Sequence, residues 1–265
     1  MRSEIAAGWT QKPLTPFGAA VMAGGRGAAL TSLSWNTLQE LVNEHRVVVA
    51  RGFAPLAGAE WPEFCGQLGE IQEWDFGAVN ELRVQPDAKN YLYTNRAVPF
   101  HWDGAFAGRI PHYILFHCDA APPPDAGGAT LFCDTARLYA HATPAQREQW
   151  ASLSVTYTTE KLAHYGGSFT ANLLAQHPFT RETVLRYAEP VHDLNPVRWE
   201  IHGLPAIGRD SFLAEMRELL YDPRFCYAHQ WQDGDVLIAD NHALLHGRRA
   251  FDAAAPRRIR RVNIM

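Results

Sequence analysis

The stretch Pro99-Phe100-His101-Trp102-Asp103-Gly104 sets an imidazole and a carboxylate two residues apart. In an extended segment, side chains at i and i+2 leave the same face, so His101 and Asp103 can meet one metal ion. Two donors do not complete a site. A third is on offer in Asp240-Asn241-His242-Ala243-Leu244-Leu245-His246-Gly247-Arg248, where a short apolar run delivers His246 ahead of a Gly-Arg turn. His242 flanks the same run and competes with it. Two histidines and one carboxylate, with open positions left over, form the donor set of non-haem ferrous oxygenases, whose free positions take a co-substrate and dioxygen.

The 265 residues are enough for one large core, and the 47% hydrophobic and 20% charged content is that of an ordinary globular protein. We read residues 1–265 as a single domain. A net charge of -4 gives no general attraction to nucleic acid or to an anionic membrane. No apolar run reaches the length of a bilayer span, and Met1-Arg2-Ser3-Glu4-Ile5 lacks the apolar core of a secretion signal. Cys65, Cys118, Cys133 and Cys226 are scattered without CxxC spacing, which fits free thiols in a cytoplasmic protein. Monomer and homo-oligomer both remain open.

Residues 1–30 read as an arm or surface loop. Helical spacing of Leu38, Leu41 and Val42 behind Ser34 predicts a capped helix, and the β-branched run 46–53 predicts a buried strand. A second helix is expected over 59–68, and short strand over parts of 73–84 and over 90–95. Strands at 111–118 and 129–134 flank a Pro-rich turn and suggest a pair joined by a long hairpin connection. Thr143-Pro144 fits the start of a helix. Residues 151–180 mix Ser, Thr, His and Gly with aromatics and read as an active-site lid or binding loop. Strand at 184–187, helix at 211–220 and strands at 225–231, 236–240 and the C-terminus complete the pattern. Many short strands and no repeated βαβ unit argue for a mainly β fold, an antiparallel double sheet with peripheral helices.

These motifs together resemble the TauD/TfdA superfamily of Fe(II)/2-oxoglutarate-dependent dioxygenases. Its signature is met in order by His101-Trp102-Asp103, Gly127-Gly128-Ala129-Thr130, His246 and Arg257. Within it the likeness is strongest to the PvcB-like branch, which acts on isonitrile derivatives of tyrosine or tryptophan. The segments that carry that likeness are Val98-Pro99-Phe100-His101-Trp102-Asp103-Gly104, Tyr227-Ala228-His229-Gln230-Trp231 and Leu244-Leu245-His246-Gly247-Arg248.

The resemblance implies a double-stranded β-helix, or jelly-roll, core. It selects His246 over His242 and makes His101, Asp103 and His246 the iron ligands. It further implies that 2-oxoglutarate and dioxygen fill the remaining positions. A guanidinium fork is well shaped for the far carboxylate of 2-oxoglutarate. The family places it about eleven residues beyond the distal histidine, at Arg257, with Thr130 as a hydroxyl partner. One extra loop residue would substitute Arg258. Arg261 shares a strand face with Arg257 and resembles the second family arginine, which reaches toward the co-substrate C1 carboxylate or a substrate acid.

On the substrate side, Tyr93, Asn95, Phe100, Trp102, Tyr165, Phe169 and Tyr227 suit a flat, polar-edged ligand, while Arg96 and Lys161 are candidates for a substrate carboxylate. His164 and Tyr165 could close from the long segment. The implied reaction is desaturation, with or without decarboxylation, of an amino-acid-derived isonitrile carboxylate in secondary metabolism. The rivals are a hydroxylase of an amino acid or other small organic acid, and an inactive metal-binding jelly-roll protein.

Overall fold

Side-chain alternation along the strands sorts the chain into layers. The computed structural model describes residues 8–25, 27–56, 58–74, 77–162 and 165–265. The larger sheet runs in the order β1 (Trp9–Pro13), β2 (Ala19–Ala23), β3 (Val47–Arg51), β14 (Val236–Asp240), β6 (Tyr113–Ala120), β16 (Arg258–Ile264), β4 (Asn80–Leu82). Its neighbours are antiparallel except β2 and β3. A four-stranded antiparallel sheet, β13 (Cys226–His229), β7 (Thr130–Asp134), β15 (Leu244–Arg248), β5 (Val98–His101), lies against it.

Val47, Val49, Ile114, Phe116, Leu237, Ala239 and Ile259 of the larger sheet meet Phe132, Tyr227 and Leu244 of the smaller in one buried cluster. The intervening residues Val48, Ala50, Tyr113, Leu115, Ile238 and Val262 point the other way, as a two-residue period requires. They pack on helices α1 (Trp35–His45) and α2 (Glu60–Gly66) through Leu38, Leu41, Val42, Trp61, Phe64 and Cys65. The outer face of the smaller sheet, with Phe100, Leu131, Cys133 and Leu245, buries against α3 (Thr135–His141), α4 (Pro144–Ala151) and α5 (Arg209–Leu220). This is the expected jelly-roll with helices outside.

The predicted helix starts are present. Ser34 accepts from Thr37 N–H at 3.1 Å, and Thr143 forms a reciprocal capping box with Gln146.

Four expectations change. Residues 9–13 and 19–23 of the N-terminal arm are strands at the edge of the larger sheet. Residues 90–95 contain a single 3₁₀ turn, Tyr91–Tyr93, because the Asn90 side chain caps the N–H of Leu92 at 2.9 Å. The strands β6 and β7 do not pair as a hairpin, because the Pro-rich turn between them carries the chain from one sheet to the other. The segment read as a loop from 151 contains a long hairpin, β8 (Ser154–Leu162) and β9 (Tyr165–Asn172), joined on one edge by β12 (Arg198–His202). A two-stranded ribbon, β10 (Leu174–Gln176) and β11 (Thr183–Leu185), follows the hairpin.

Asp240 shapes the turn that leads into β15. Its Oδ1 accepts from the N–H groups of His242 and Ala243 at 2.9 and 3.2 Å. Its Oδ2 meets His177 Nε2 at 2.9 Å and Arg46 Nη1 at 3.2 Å. Removing this 1%-exposed carboxylate strands several buried donors at once. Asp240→Ala is therefore expected to cost about 3–5 kcal/mol, measured by urea unfolding of the metal-free protein.

Candidate metal centre and active-site cavity

Strand register brings the two predicted histidines together. His246 of β15 is the direct cross-strand partner of His101 of β5, and their rings lie 4.2 Å apart. The register shifts between His246 and Arg248, so Gly247 and Arg248 belong to an irregular part of β15 and not to a turn. Asp103 completes the group from the turn just beyond β5, off the strand that the sequence suggested. Its Oδ1 is 3.8 Å from Nε2 of both histidines. One donor atom from each of the three side chains lies within 4.8 Å of the others. His242 is elsewhere, with its Nδ1 3.0 Å from Arg186 Nη2.

The donors are in the protonation states a cation needs. His101 Nδ1 is 2.9 Å from the Pro99 carbonyl; placing the proton on Nδ1 frees Nε2 as a lone-pair donor. Burial holds both imidazoles below their usual range, and for His246 the neighbouring His101 adds to the effect. Burial pushes Asp103 upward, but Arg261, then His246 and His101, outweigh it and hold the carboxyl below its usual value. Arg261 Nη1 lies 3.2 Å from Asp103 Oδ1 and 3.1 Å from Oδ2. Among the described residues, His246 Nε2 is buried with no hydrogen-bond partner. A buried lone pair without a partner, converging with His101 Nε2 and Asp103 Oδ1, fits a divalent cation, since leaving it unmatched is costly.

The interior also holds an unmatched positive charge. Arg257 is 6% exposed; its Nε donates to the Gly128 carbonyl at 3.1 Å and its Nη2 to Thr130 Oγ1 at 3.3 Å. Its Nη1 is buried without a partner, and among the described residues no carboxylate pairs with it. Burial, then the neighbouring Arg248, pushes the guanidinium down to about 9, so it stays charged at neutral pH. A buried cation of this kind calls for an anionic ligand group.

The Gly-Gly element explains the space. Gly128 has φ +79, and a Cβ there would press at 3.2 Å on Arg257 Cδ, Phe251 Cβ and Pro122 Cγ. Arg258, the first residue of β16, is 53% exposed in its side chain and sits near Asp119, whereas Arg257 just before the strand is buried, so burial selects Arg257 for the interior position.

A cavity of about 360 Å³ opens onto His101 and Asp103. Its walls are largely aromatic. Trp102 stands edge-on to Tyr157 at 5.7 Å and Phe169 at 6.1 Å, and Phe106 meets Phe169 at 4.9 Å. Tyr157 and Phe169 come from the β8–β9 hairpin.

Of the predicted substrate residues, Tyr93, Phe100, Trp102 and Phe169 line this cavity, whereas Tyr227 is buried between the two sheets. Asn95 does not, because its amide is spent on the Phe251 carbonyl at 3.0 Å; Arg96 is turned outward to Asp193. His164 and the side chains of Lys161 and Tyr165 lie outside the described residues. Sequence reasoning missed Glu189, whose buried carboxylate lines the cavity and accepts from Phe100 N–H at 2.9 Å and Tyr221 O–H at 2.8 Å. It also assigned Asn241 no place in the site. The available signal for Asn241 was its place at the end of an apolar strand, where a buried amide needs partners.

The comparisons agree with this geometry. Residues 10–263 match the model of the taurine catabolism dioxygenase TauD, TfdA family. The chain is 46% identical to the 3-((Z)-2-isocyanoethenyl)-1H-indole synthase of Fischerella ambigua, over 99% of this chain and 97% of that one. It is 37% identical to the tyrosine isonitrile desaturase of Pseudomonas aeruginosa, over 94% and 87%. The solved structure of PvcB, an Fe, alpha-ketoglutarate dependent oxygenase from an isonitrile synthetic pathway, superposes with a TM-score of 0.81 at 33% identity, covering 97% of this chain and 91% of that one. No helix among the described residues is long and apolar enough to cross a membrane. The family match, the likeness along almost the whole chain and the His-Asp-His group lead to one conclusion: the chain belongs to the TauD, TfdA family and is an Fe(II)/2-oxoglutarate-dependent dioxygenase.

Proposed function

We propose that this enzyme desaturates the side chain of a tryptophan- or tyrosine-derived isonitrile carboxylate, with loss of carbon dioxide on the tryptophan-derived substrate. The observation that carries the reading is the aromatic cavity with His101 and Asp103 in its wall, sized for one small flat ligand. The 46% identity to an isocyanoethenyl-indole synthase supports the indole and the decarboxylated product.

In this reading His101, Asp103 and His246 hold the iron, and Arg257 with Thr130 holds the far carboxylate of 2-oxoglutarate. When bound, iron, 2-oxoglutarate and dioxygen supply a two-electron oxidation, with the co-substrate leaving as succinate and carbon dioxide. Arg261 is the one cationic group among the described residues that line the cavity, so it draws the substrate acid to the iron side. Trp102, Phe106, Tyr157 and Phe169 fix the ring, and the β8–β9 hairpin serves as the lid that keeps water out.

The overall change balances. The substrate gives up one hydrogen from its benzylic carbon, its acid proton and carbon dioxide; the carbon–carbon double bond forms as the carboxylate leaves; both hydrogens depart in water. We place the enzyme in the cytoplasm, in line with its four free cysteines.

Aerobic incubation with Fe(II), 2-oxoglutarate and each isonitrile, followed by mass analysis, tests the reading. The expected product of the tryptophan-derived substrate has lost the elements of formic acid, with one succinate per turnover. A product carrying an added oxygen would mark a hydroxylase instead. Failure of any substrate to raise succinate formation would contradict the isonitrile reading.

A further inference from the structure

Strand β5 ends at His101, and Asp103 sits in the turn beyond it. A residue past the end of a strand has lost the ladder that fixes its neighbours, so its backbone needs other partners. Asn241, 1% exposed, provides them. Its Oδ1 accepts from Asp103 N–H at 3.0 Å, and its Nδ2 donates to the Asp103 carbonyl at 3.0 Å. The side-chain amide thus pairs with Asp103 much as a peptide of a neighbouring strand would. Nδ2 also donates to the Pro111 carbonyl at 2.9 Å, so one amide ties both ends of the loop 103–111.

That loop is folded back on itself. Gly104 has φ +93, and a Cβ there would fall 2.3 Å from the Arg109 carbonyl oxygen. The loop contributes Phe106 to the cavity wall. Asn241 is itself fixed, because its N–H donates to the His112 carbonyl at 2.9 Å and its carbonyl accepts from the buried Arg186 at 3.3 Å.

We propose that Asn241 is a positioning residue for the iron centre, an amide staple that holds Asp103 within reach of the metal and Phe106 in the substrate wall. The proposal rests on Asp103 being an iron ligand and is independent of the substrate's identity. Asn241→Asp keeps an oxygen to accept from Asp103 N–H and loses both donated bonds.

Anaerobic equilibrium dialysis with Fe(II) alone, on the metal-free parent, Asn241→Asp and Asp103→Ala, reads affinity per folded molecule. Circular dichroism confirms the folded fraction. Asn241→Asp is expected to bind Fe(II) roughly 10- to 100-fold more weakly, the usual cost of losing an outer partner of a ligand. Affinity within twofold of the parent would overturn the staple. Parent-like binding by Asp103→Ala would instead overturn the ligand assignment on which it rests. If Asn241→Asp does not fold, amide exchange in the unaltered metal-free protein decides: Asp103 N–H should exchange as slowly as the core amides of β14, and exchange at the rate of exposed turns would overturn the proposal.

Discussion

His246→Ala is expected to lose iron and turnover together while leaving the metal-free protein folded. Burial holds the imidazole well below its usual range, its Nε2 has no partner among the described residues, and its removal takes away no charge that another side chain needs. What it does remove is one of three converging donors, for which a loss of Fe(II) affinity beyond about 100-fold is expected, since even outer partners of ligands cost 10–100-fold. Iron content after dialysis and substrate-dependent succinate release check the two halves. Asp103→Ala should match it in activity but differ in stability. It strands the buried guanidinium of Arg261, which the carboxylate now meets at 3.1 Å, and the expected cost is about 3–5 kcal/mol in urea unfolding. Equal stability of the two variants would show that the Asp103–Arg261 contact contributes little.

Arg257 behaves in the opposite sense, and its replacement is the second large expected effect. Truncating a buried guanidinium that pairs with a ligand carboxylate costs about 2–5 kcal/mol, or roughly 30- to several-thousandfold in 2-oxoglutarate affinity. Arg258→Ala, at an exposed position beside Asp119, should change that affinity by less than about fivefold. The stability effect has the reverse sign. Burial holds the Arg257 guanidinium at about 9, below its usual range, so at neutral pH the folded protein bears the cost of a desolvated charge. That cost is relieved only as pH rises above about 9, so Arg257→Met should leave the melting temperature of the metal-free protein unchanged or higher at pH 7. The melting-temperature rise that 2-oxoglutarate with iron gives the parent should disappear in this variant. A melting temperature that falls sharply would mean that Arg257 is chiefly a structural tether to Gly128 and Thr130.

The run Val47-Val48-Val49-Ala50 could be read as a buried strand, but not which of its side chains faces which layer, because all four are apolar; Arg257 came from the family spacing, and its burial against the exposed Arg258 settles the register that the sequence left open. The cross-strand meeting of His101 and His246 could not be read from spacing, because a pairing across so much chain depends on which strands become neighbours. Only the resemblance supplied it. The β8–β9 hairpin was hidden by its composition. Gly166-Gly167 and a run of threonines suggest a loop, yet Val155, Tyr157 and Thr159 alternate inward against Thr158 and Glu160 outward. Outward Thr156 and Thr158 pair across the hairpin with Thr170 and Ser168 at 2.8 and 3.1 Å, so the polar residues stabilise strand here.

Asn95 and Arg96 failed to reach the cavity for the reason Glu189 did reach it. Polar side chains are committed by partners distant in sequence that composition does not reveal, the Phe251 carbonyl for Asn95 and the Asp193 carboxylate for Arg96, and Glu189 arrives there because its own backbone pairs with Phe100 of the ligand strand.

Convergence of His101, Asp103 and His246 on ferrous iron, next to a diacid fixed by Arg257, has a direct optical readout. Anaerobic addition of Fe(II) to the protein with 2-oxoglutarate should produce a weak visible charge-transfer band that saturates at one iron per chain, requires both components and is absent in His246→Ala. A fully iron-loaded protein that shows no such band, or a band that persists unchanged without His246, would contradict it.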